Sequence, residues 1–205
     1  MGETEQLSLE ELGVLLRESG VVGAGGAGFP TYAKLDKRAD TIIMNCAECE
    51  PLLKLHRQLL ERRAGEIVET FHRIAMAVGA KEAIIGIKKA YKETIAALRE
   101  SIGEYPEIRL GLLEEVYPAG DEVVLIYEVT GKIVPPGGLP IGIGVAVFNV
   151  ETVYNIYRAV VLGEPVQDKL VSIVGEVERP VTVRLPLGCS IGEAVRQAGK
   201  VTVEN

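Results

Sequence analysis

Cysteine is scarce, long apolar runs are missing and basic clusters are absent, and each absence bears on function. The 205 residues include three cysteines, too few and too unevenly placed for a disulfide framework, which points to a reducing compartment. The longest apolar run, Gly138 to Val150, is interrupted by glycine and proline and is too short to span a bilayer. The opening residues carry acids where a secretory signal would have a basic segment and an apolar core, so a cytoplasmic location is expected. Twenty-nine acidic residues stand against 22 basic ones, a net charge of −7, with no basic block. That argues against nucleic acid or an anionic membrane surface as the main partner. What is present, 47% hydrophobic residues, suffices for a full core in one domain, or one domain and a small second.

Glycine is concentrated in one place. Gly20, Gly23, Gly25, Gly26 and Gly28 fall within nine residues, closed by Phe29 and Pro30 and followed by Lys34. Such density suits positive φ angles or the close approach of a ligand to bare backbone. Successive amide N–H groups then form a concavity suited to phosphate, with Lys34 as a point charge beside it. A flexible linker is the competing reading, although linkers are usually more polar than this stretch of Val, Ala, Phe and Pro. Gly23 to Gly28 has the spacing of a dinucleotide fingerprint but lacks its context, because a helical pattern precedes it and Pro30 follows. No Gly-Lys-Ser/Thr follows either, so the Walker phosphate loop is excluded.

Along the chain, Ser8 to Glu11 reads as a capping box opening a helix with Leu9, Leu12, Leu15 and Leu16 on one face, ended by Gly20. Thr41–Met44, Ala83–Ile87, Ile108–Leu113 and Val145–Phe148 read as buried strands. Between them come helices over Arg63–Val78, through Ile95, Leu98 and Ile102, and from Asp121 to about Thr130, with Val150–Leu162 after the last strand. This alternation predicts an α/β fold: a Rossmann-like parallel sheet with flanking helices and right-handed crossovers. Gly163-Glu164-Pro165 reads as a linker, giving domains 1–163 and 164–205. The second reads as hairpin then helix, the opening of a β-grasp unit cut short at Asn205.

The first strand delivers Asn45-Cys46-Ala47-Glu48-Cys49-Glu50-Pro51 at its carboxyl end, where open α/β sheets bind ligands. Cys46-Ala47-Glu48-Cys49 is a C-x-x-C, readable as a redox dithiol or half a zinc site. Cys189, His56 and His72 do not supply the other half at a recognisable spacing, and both histidines fall in helical segments as surface or partly packed residues. Small, half-buried fillers is the competing reading of the cysteines. Carboxylates repel phosphate but accept hydrogen bonds from ribityl and ribose hydroxyls or a carboxamide, so Glu48, Glu50, Asp121 and Glu122 suit the neutral edges of a ligand.

Taken together, G-A-G-G-A-G-F-P-T-Y-A-K and N-C-A-E-C-E-P, then Gly120-Asp121-Glu122 and Asn149-Val150-Glu151-Thr152, closely resemble the flavin-binding subunit of respiratory complex I and its relatives. The resemblance covers about Leu7 to Leu162 and looks nearest to the Rnf-type C subunit and the cobalamin reductase of propanediol microcompartments. The tail resembles the soluble-ligand-binding β-grasp domain that comes next in these proteins. The resemblance implies FMN as cofactor, NADH as substrate and an iron–sulfur protein or subunit as electron acceptor. It places the flavin on Gly23, Gly25, Gly26, Gly28, Lys34, Asn45, Glu48, Gly120, Asp121, Glu122 and Asn149, and the nicotinamide nucleotide on Phe29 and Glu50. No general base is needed, since the cofactor carries the hydride chemistry.

Three departures stand out. Ala24 replaces an arginine of the family's glycine loop, Ala47 an aspartate, and Phe148 the first of two asparagines. The family's iron–sulfur cluster motif is absent too, because Cys46, Cys49 and Cys189 cannot form one. Two expectations result: a fragment of a longer protein, or a partner that carries the clusters, peripheral to a membrane complex or inside a microcompartment. Three functional readings therefore compete. They are an FMN-dependent NADH-oxidising electron-transfer module, a flavin-free binding or assembly module, and a switch at Cys46 and Cys49.

Overall fold

A computed structural model describes residues 7–203. Helix α1 (Leu9–Glu18) begins as its sequence dictates. The Glu11 amide donates to Ser8 Oγ at 3.3 Å, and the Ser8 amide donates to the Glu11 carboxylate at 2.8 Å, satisfying donors that every helix start leaves open. Leu12 and Leu16 are buried, with Leu9 and Leu15 packed at their margin. The chain then runs through the glycine loop into strand β1 (Thr41–Asn45).

From there the alternation holds: α2 (Leu55–Val78), β2 (Glu82–Lys88), α3 (Lys92–Ile102), β3 (Ile108–Leu113), α4 (Glu122–Thr130), β4 (Val145–Asn149) and α5 (Val150–Tyr157). Helix α5 continues as a wider π-turn over Arg158–Leu162. The four strands form one parallel sheet in the order β3-β2-β1-β4. Strands β1, β2 and β4 are apolar on both faces, as burial on both sides requires, while β3 at the edge exposes Arg109 and Leu112. Ile42, Met44, Ile85, Ile87 and Phe148 face α1, α2, α3 and α5. Ile43, Ile84, Val145 and Val147 face α4, through Leu125, Ile126 and Val129. Side chains such as Phe71 and Phe148, fully enclosed here, contribute about 1.5–3 kcal/mol each.

Helix α2 starts earlier than its sequence pattern suggests, at Leu55 rather than Arg63. It is two helical pieces joined at Arg63, whose φ of −140° and ψ of 29° are not helical. The first piece has its own apolar stripe, with Leu59 and Leu60 buried. It aims His56 and Arg57 back toward the loop after β1.

The remainder of the chain makes a separate antiparallel pair, β5 (Asp168–Ile173) and β6 (Val181–Pro186), followed by α6 (Ile191–Gln197). Every residue of β5 is only half-buried. The unit is tied to the sheet domain by Arg158, which donates to both Asp168 oxygens at 2.7 and 2.9 Å and to Glu164 at 3.0 Å. Among the described residues, no helix is long and apolar enough to cross a membrane.

Candidate functional site

Strands β2 and β3 extend from one side of β1, and β4 lies on the other, so the chain reverses its winding between β1 and β4. In an open parallel sheet, ligands bind in the crevice at such a switch point, beyond the carboxyl ends of the strands. Asn45 and Asn149, the last residues of β1 and β4, stand there in direct register.

The glycine loop arches over this crevice. Its base is closed by pairing between Val22 and Pro30 and by the Gly23 amide donating to the Phe29 carbonyl at 2.7 Å. Its rising limb is fastened to α5, where the Ala24 amide donates to Thr152 Oγ1 at 2.9 Å. The amides of Gly23 and Ala24 are thus used by the chain itself, and the crown from Gly25 to Gly28 is the part exposed to solvent. Gly26 and Gly28 have φ of 125° and 62°, conformations that an L side chain resists, and a Cβ at either would meet nothing within 4 Å. The crown is open backbone, not packed turn. A Cβ on Gly25 would lie 3.3 Å from Asn149 Nδ2, which puts that amide directly under the loop.

Asn149 is held firmly. Its Oδ1 accepts from the Glu151 amide at 2.9 Å, capping α5, which leaves Nδ2 to donate to His56 Nε2 at 3.0 Å. Nε2 is therefore an acceptor, and the His56 proton sits on Nδ1, a buried atom with no partner among the described residues. Burial, reinforced by the charge of Lys169, lowers the His56 pKa to about 4, so the ring is neutral near pH 7. His56 is part of the site, whereas its sequence context suggests only a surface or partly packed side chain.

A lysine stands at each end of the loop. Lys34 Nζ donates to the Val147 carbonyl at 2.7 Å, pairs with Glu122 at 3.4 Å and lies 5.7 Å from the centre of the half-exposed Phe29 ring. Lys169, from β5, donates to the Ala24 carbonyl at 3.0 Å and pairs with the buried Glu151. The sequence pattern does not single out Thr152, Glu151, His56 or Lys169 as site residues. Of these, Glu151 and Thr152 carry a signal, since they lie within the Asn149 block that resembles the complex I subunit.

The acidic turns follow β1 and open α4. Glu48 is buried; its carboxylate accepts from the His56 amide at 2.9 Å and from Arg57 Nε at 3.0 Å. It serves as a remote cap on α2. Burial pushes its pKa up, and those two donors partly offset the rise. Asn45 is likewise occupied: Nδ2 donates to the Gly120 carbonyl at 2.8 Å, and Oδ1 accepts from the Ala47 amide at 3.1 Å. Position 120 admits only glycine, because a Cβ there would come within 2.0 Å of the Ala47 carbonyl. Asp121 caps α4, accepting from the amides of Val123 and Val124. Glu50 is exposed, at the rim of a cleft of about 290 Å³ shared with Glu48, Cys49, Arg57, Lys88 and Tyr91. Cys46 is buried, and burial raises its thiol pKa well above the usual value. A buried, protonated thiol is a packing group and a poor redox nucleophile.

A doubly flanked parallel sheet with an open glycine crown, two asparagines and two lysines at its switch point defines a protein built to hold an anionic, nucleotide-like cofactor. The donor set suits FMN: bare amides and cations for a phosphate, and neutral polar edges beyond. The chain matches the Nuo51 FMN-binding domain over residues 16–158 and belongs to that family. It is 43% identical over 199 residues to the cobalamin reductase PduS of Salmonella typhimurium strain LT2, covering 97% of this chain and 44% of that protein. It is 37% identical over 199 residues to a subunit of the ion-translocating oxidoreductase complex of Citrobacter koseri, covering 95% and 28%. A chain of the NAD+-reducing [NiFe]-hydrogenase, in its H2-reduced state, superposes with a TM-score of 0.80 at 25% identity, over 93% of this chain and 39% of that one. The chain spans less than half the length of these relatives. The parallel sheet, the family and its electron-transfer class agree with the reading of the sequence.

Proposed function

We propose that this chain holds FMN in the β1–β4 crevice as the flavin module of an NADH-oxidising electron-transfer system, whose acceptor is a partner bearing an iron–sulfur cluster or other redox cofactor. One observation carries the reading: Asn45 and Asn149 stand in register at the switch point beneath an exposed glycine crown. Kinship with a cobalamin reductase, an ion-translocating oxidoreductase subunit and an NAD+-reducing hydrogenase supports it. Bound FMN would supply the conversion between two-electron and one-electron transfer that no side chain here can perform.

The residues divide the work by chemistry. The amides from Gly25 to Gly28 bind the phosphate, and Lys34 adds charge at one end of the crown. Asn149 Nδ2 is kept under the loop by neutral His56. Gly120, pinned by Asn45, would hold the acidic turn ready for the neutral polar edge of the flavin, and Glu48 and Asp121 fix the starts of α2 and α4. Phe29 offers an exposed flat face to a nicotinamide nucleotide, and Glu50 an exposed acceptor for its hydroxyl or carboxamide N–H groups.

Titrating FMN with the protein while following flavin fluorescence tests the reading. Quenching to a one-to-one end point, with reduction of the bound flavin by NADH under anaerobic conditions, is the expected outcome. No binding at high micromolar protein would leave the chain as a flavin-free assembly module, the reading that Ala24 and Ala47 favour.

A further inference from the structure

We infer that Lys169, on the first strand of the C-terminal unit, supplies the cation that the glycine loop lacks at position 24, so that the cofactor-phosphate site is completed by the second unit. The inference rests on the FMN reading above and adds a residue to it that lies beyond the 16–158 region matching the family.

Lys34 serves one end of the loop only. It sits at the Phe29 end, where it donates to the Val147 carbonyl and pairs with Glu122. The loop carries no cation of its own at the opposite end, since position 24 is alanine. Lys169 reaches that end from 145 residues away in sequence, donating to the Ala24 carbonyl at 3.0 Å. An ammonium has three N–H donors. Ala24 and Glu151 take two, and the side chain is 41% exposed, so a third can serve a phosphate on the crown. The charge is felt across the site: Lys169 is the second cause, after burial, of the lowered His56 pKa.

The position of Lys169 is built. Glu151, itself buried, accepts from the Leu170 amide at 3.0 Å with one oxygen and pairs with Lys169 through the other. The start of β5 is clamped by Arg158 on Asp168, and the chain just before it by the Val166 amide donating to the Ser19 carbonyl at 2.9 Å. The unit therefore meets α1, α5 and the glycine loop together. A phosphate-bearing flavin gains from its docking, and a flavin without phosphate does not.

The test compares FMN with riboflavin, by fluorescence titration at two ionic strengths, in the wild type, Lys169→Ala, Lys169→Arg and Glu151→Gln. Lys169→Ala is expected to weaken FMN about tenfold, the size of one charge-assisted hydrogen bond, and riboflavin less than about twofold. The salt dependence of FMN binding should flatten in the same variant. Lys169→Arg should restore most of the FMN preference, and Glu151→Gln, which frees the ammonium, should strengthen FMN. Equal losses for both flavins in Lys169→Ala would overturn the inference and leave Lys169 as a clip for the loop. An unchanged FMN affinity would overturn it as well. Wild-type protein that binds neither flavin would overturn the FMN reading itself, and this inference with it.

Discussion

The glycine loop and the acidic turns sit at the carboxyl edge of one sheet, yet they are built on opposite principles. In the glycine loop the backbone faces outward: its crown is exposed, and two lysines stand at its ends. In the acidic turns most polar groups face inward: Glu48 is spent on α2 and Arg57, Asp121 on α4, and Asn45 beside them on Gly120. Glu50, at the rim, faces solvent. Residue type alone therefore does not separate ligand binders from scaffold. A carboxylate already saturated by the chain's own donors holds the geometry of the site, and an exposed one is available to a substrate.

Substitution at Gly120 should blur the contrast most. An alanine Cβ 2.0 Å from the Ala47 carbonyl cannot be housed without moving the segment after β1. Gly120→Ala should cost about 3 kcal/mol or more and abolish flavin binding, as read by thermal melting and FMN titration.

Glu48 and Glu50 put the two kinds of carboxylate side by side. Glu48→Ala strands the Arg57 charge and the start of α2, and should destabilise by about 3 kcal/mol, lowering Tm by roughly 6–12 °C in a domain of this size. Glu50→Ala should leave Tm within about 2 °C and instead raise the KM for NADH severalfold. Equal effects on Tm would mean that the two carboxylates are not divided as described.

The mildest effect concerns pH. His56 titrates near 4 in the folded protein and near 6.5 when unfolded. The unfolded chain takes up its proton first as pH falls, so the His56 contribution to stability declines from about pH 6.5 down to about 4 and is constant above 7. Glu48, with its raised pKa, acts in the opposite sense near the lower end. The difference in unfolding free energy between wild type and His56→Gln isolates the histidine: it should shrink by about 1–3 kcal/mol across that window. A flat difference would show that the ring is not buried in its neutral form.

Much of the frame is legible in the sequence because its signals are local. Ser8 and Glu11 meet three residues apart, so their capping box can be read from four letters. Strands β1, β2 and β4 are short, buried and almost uniformly apolar, and Ile108–Leu113 is readable to the residue although it lies at the sheet edge with Arg109 and Leu112 exposed. Helix α4 is legible for the same reason to within one residue, Asp121 proving to be its cap and Glu122 its first residue. The first piece of α2 is not, because its apolar stripe is short and the break at Arg63 hides its continuity with the second piece.

The alternation of strand and helix, the bare glycine crown and the two asparagines at the strand ends each depend on neighbours a few residues apart, and the order of amino acids was enough to establish them. Folding in three dimensions had to settle the rest: which carboxylates are spent and which are free, that His56 meets the Asn149 amide, and that Lys169 stands beside Ala24. These depend on contacts closed by packing: eight residues from Glu48 to His56, 93 from His56 to Asn149, 145 from Ala24 to Lys169. A residue's type shows that it can accept or donate a hydrogen bond. Which partner it finds depends on what the folded core brings beside it.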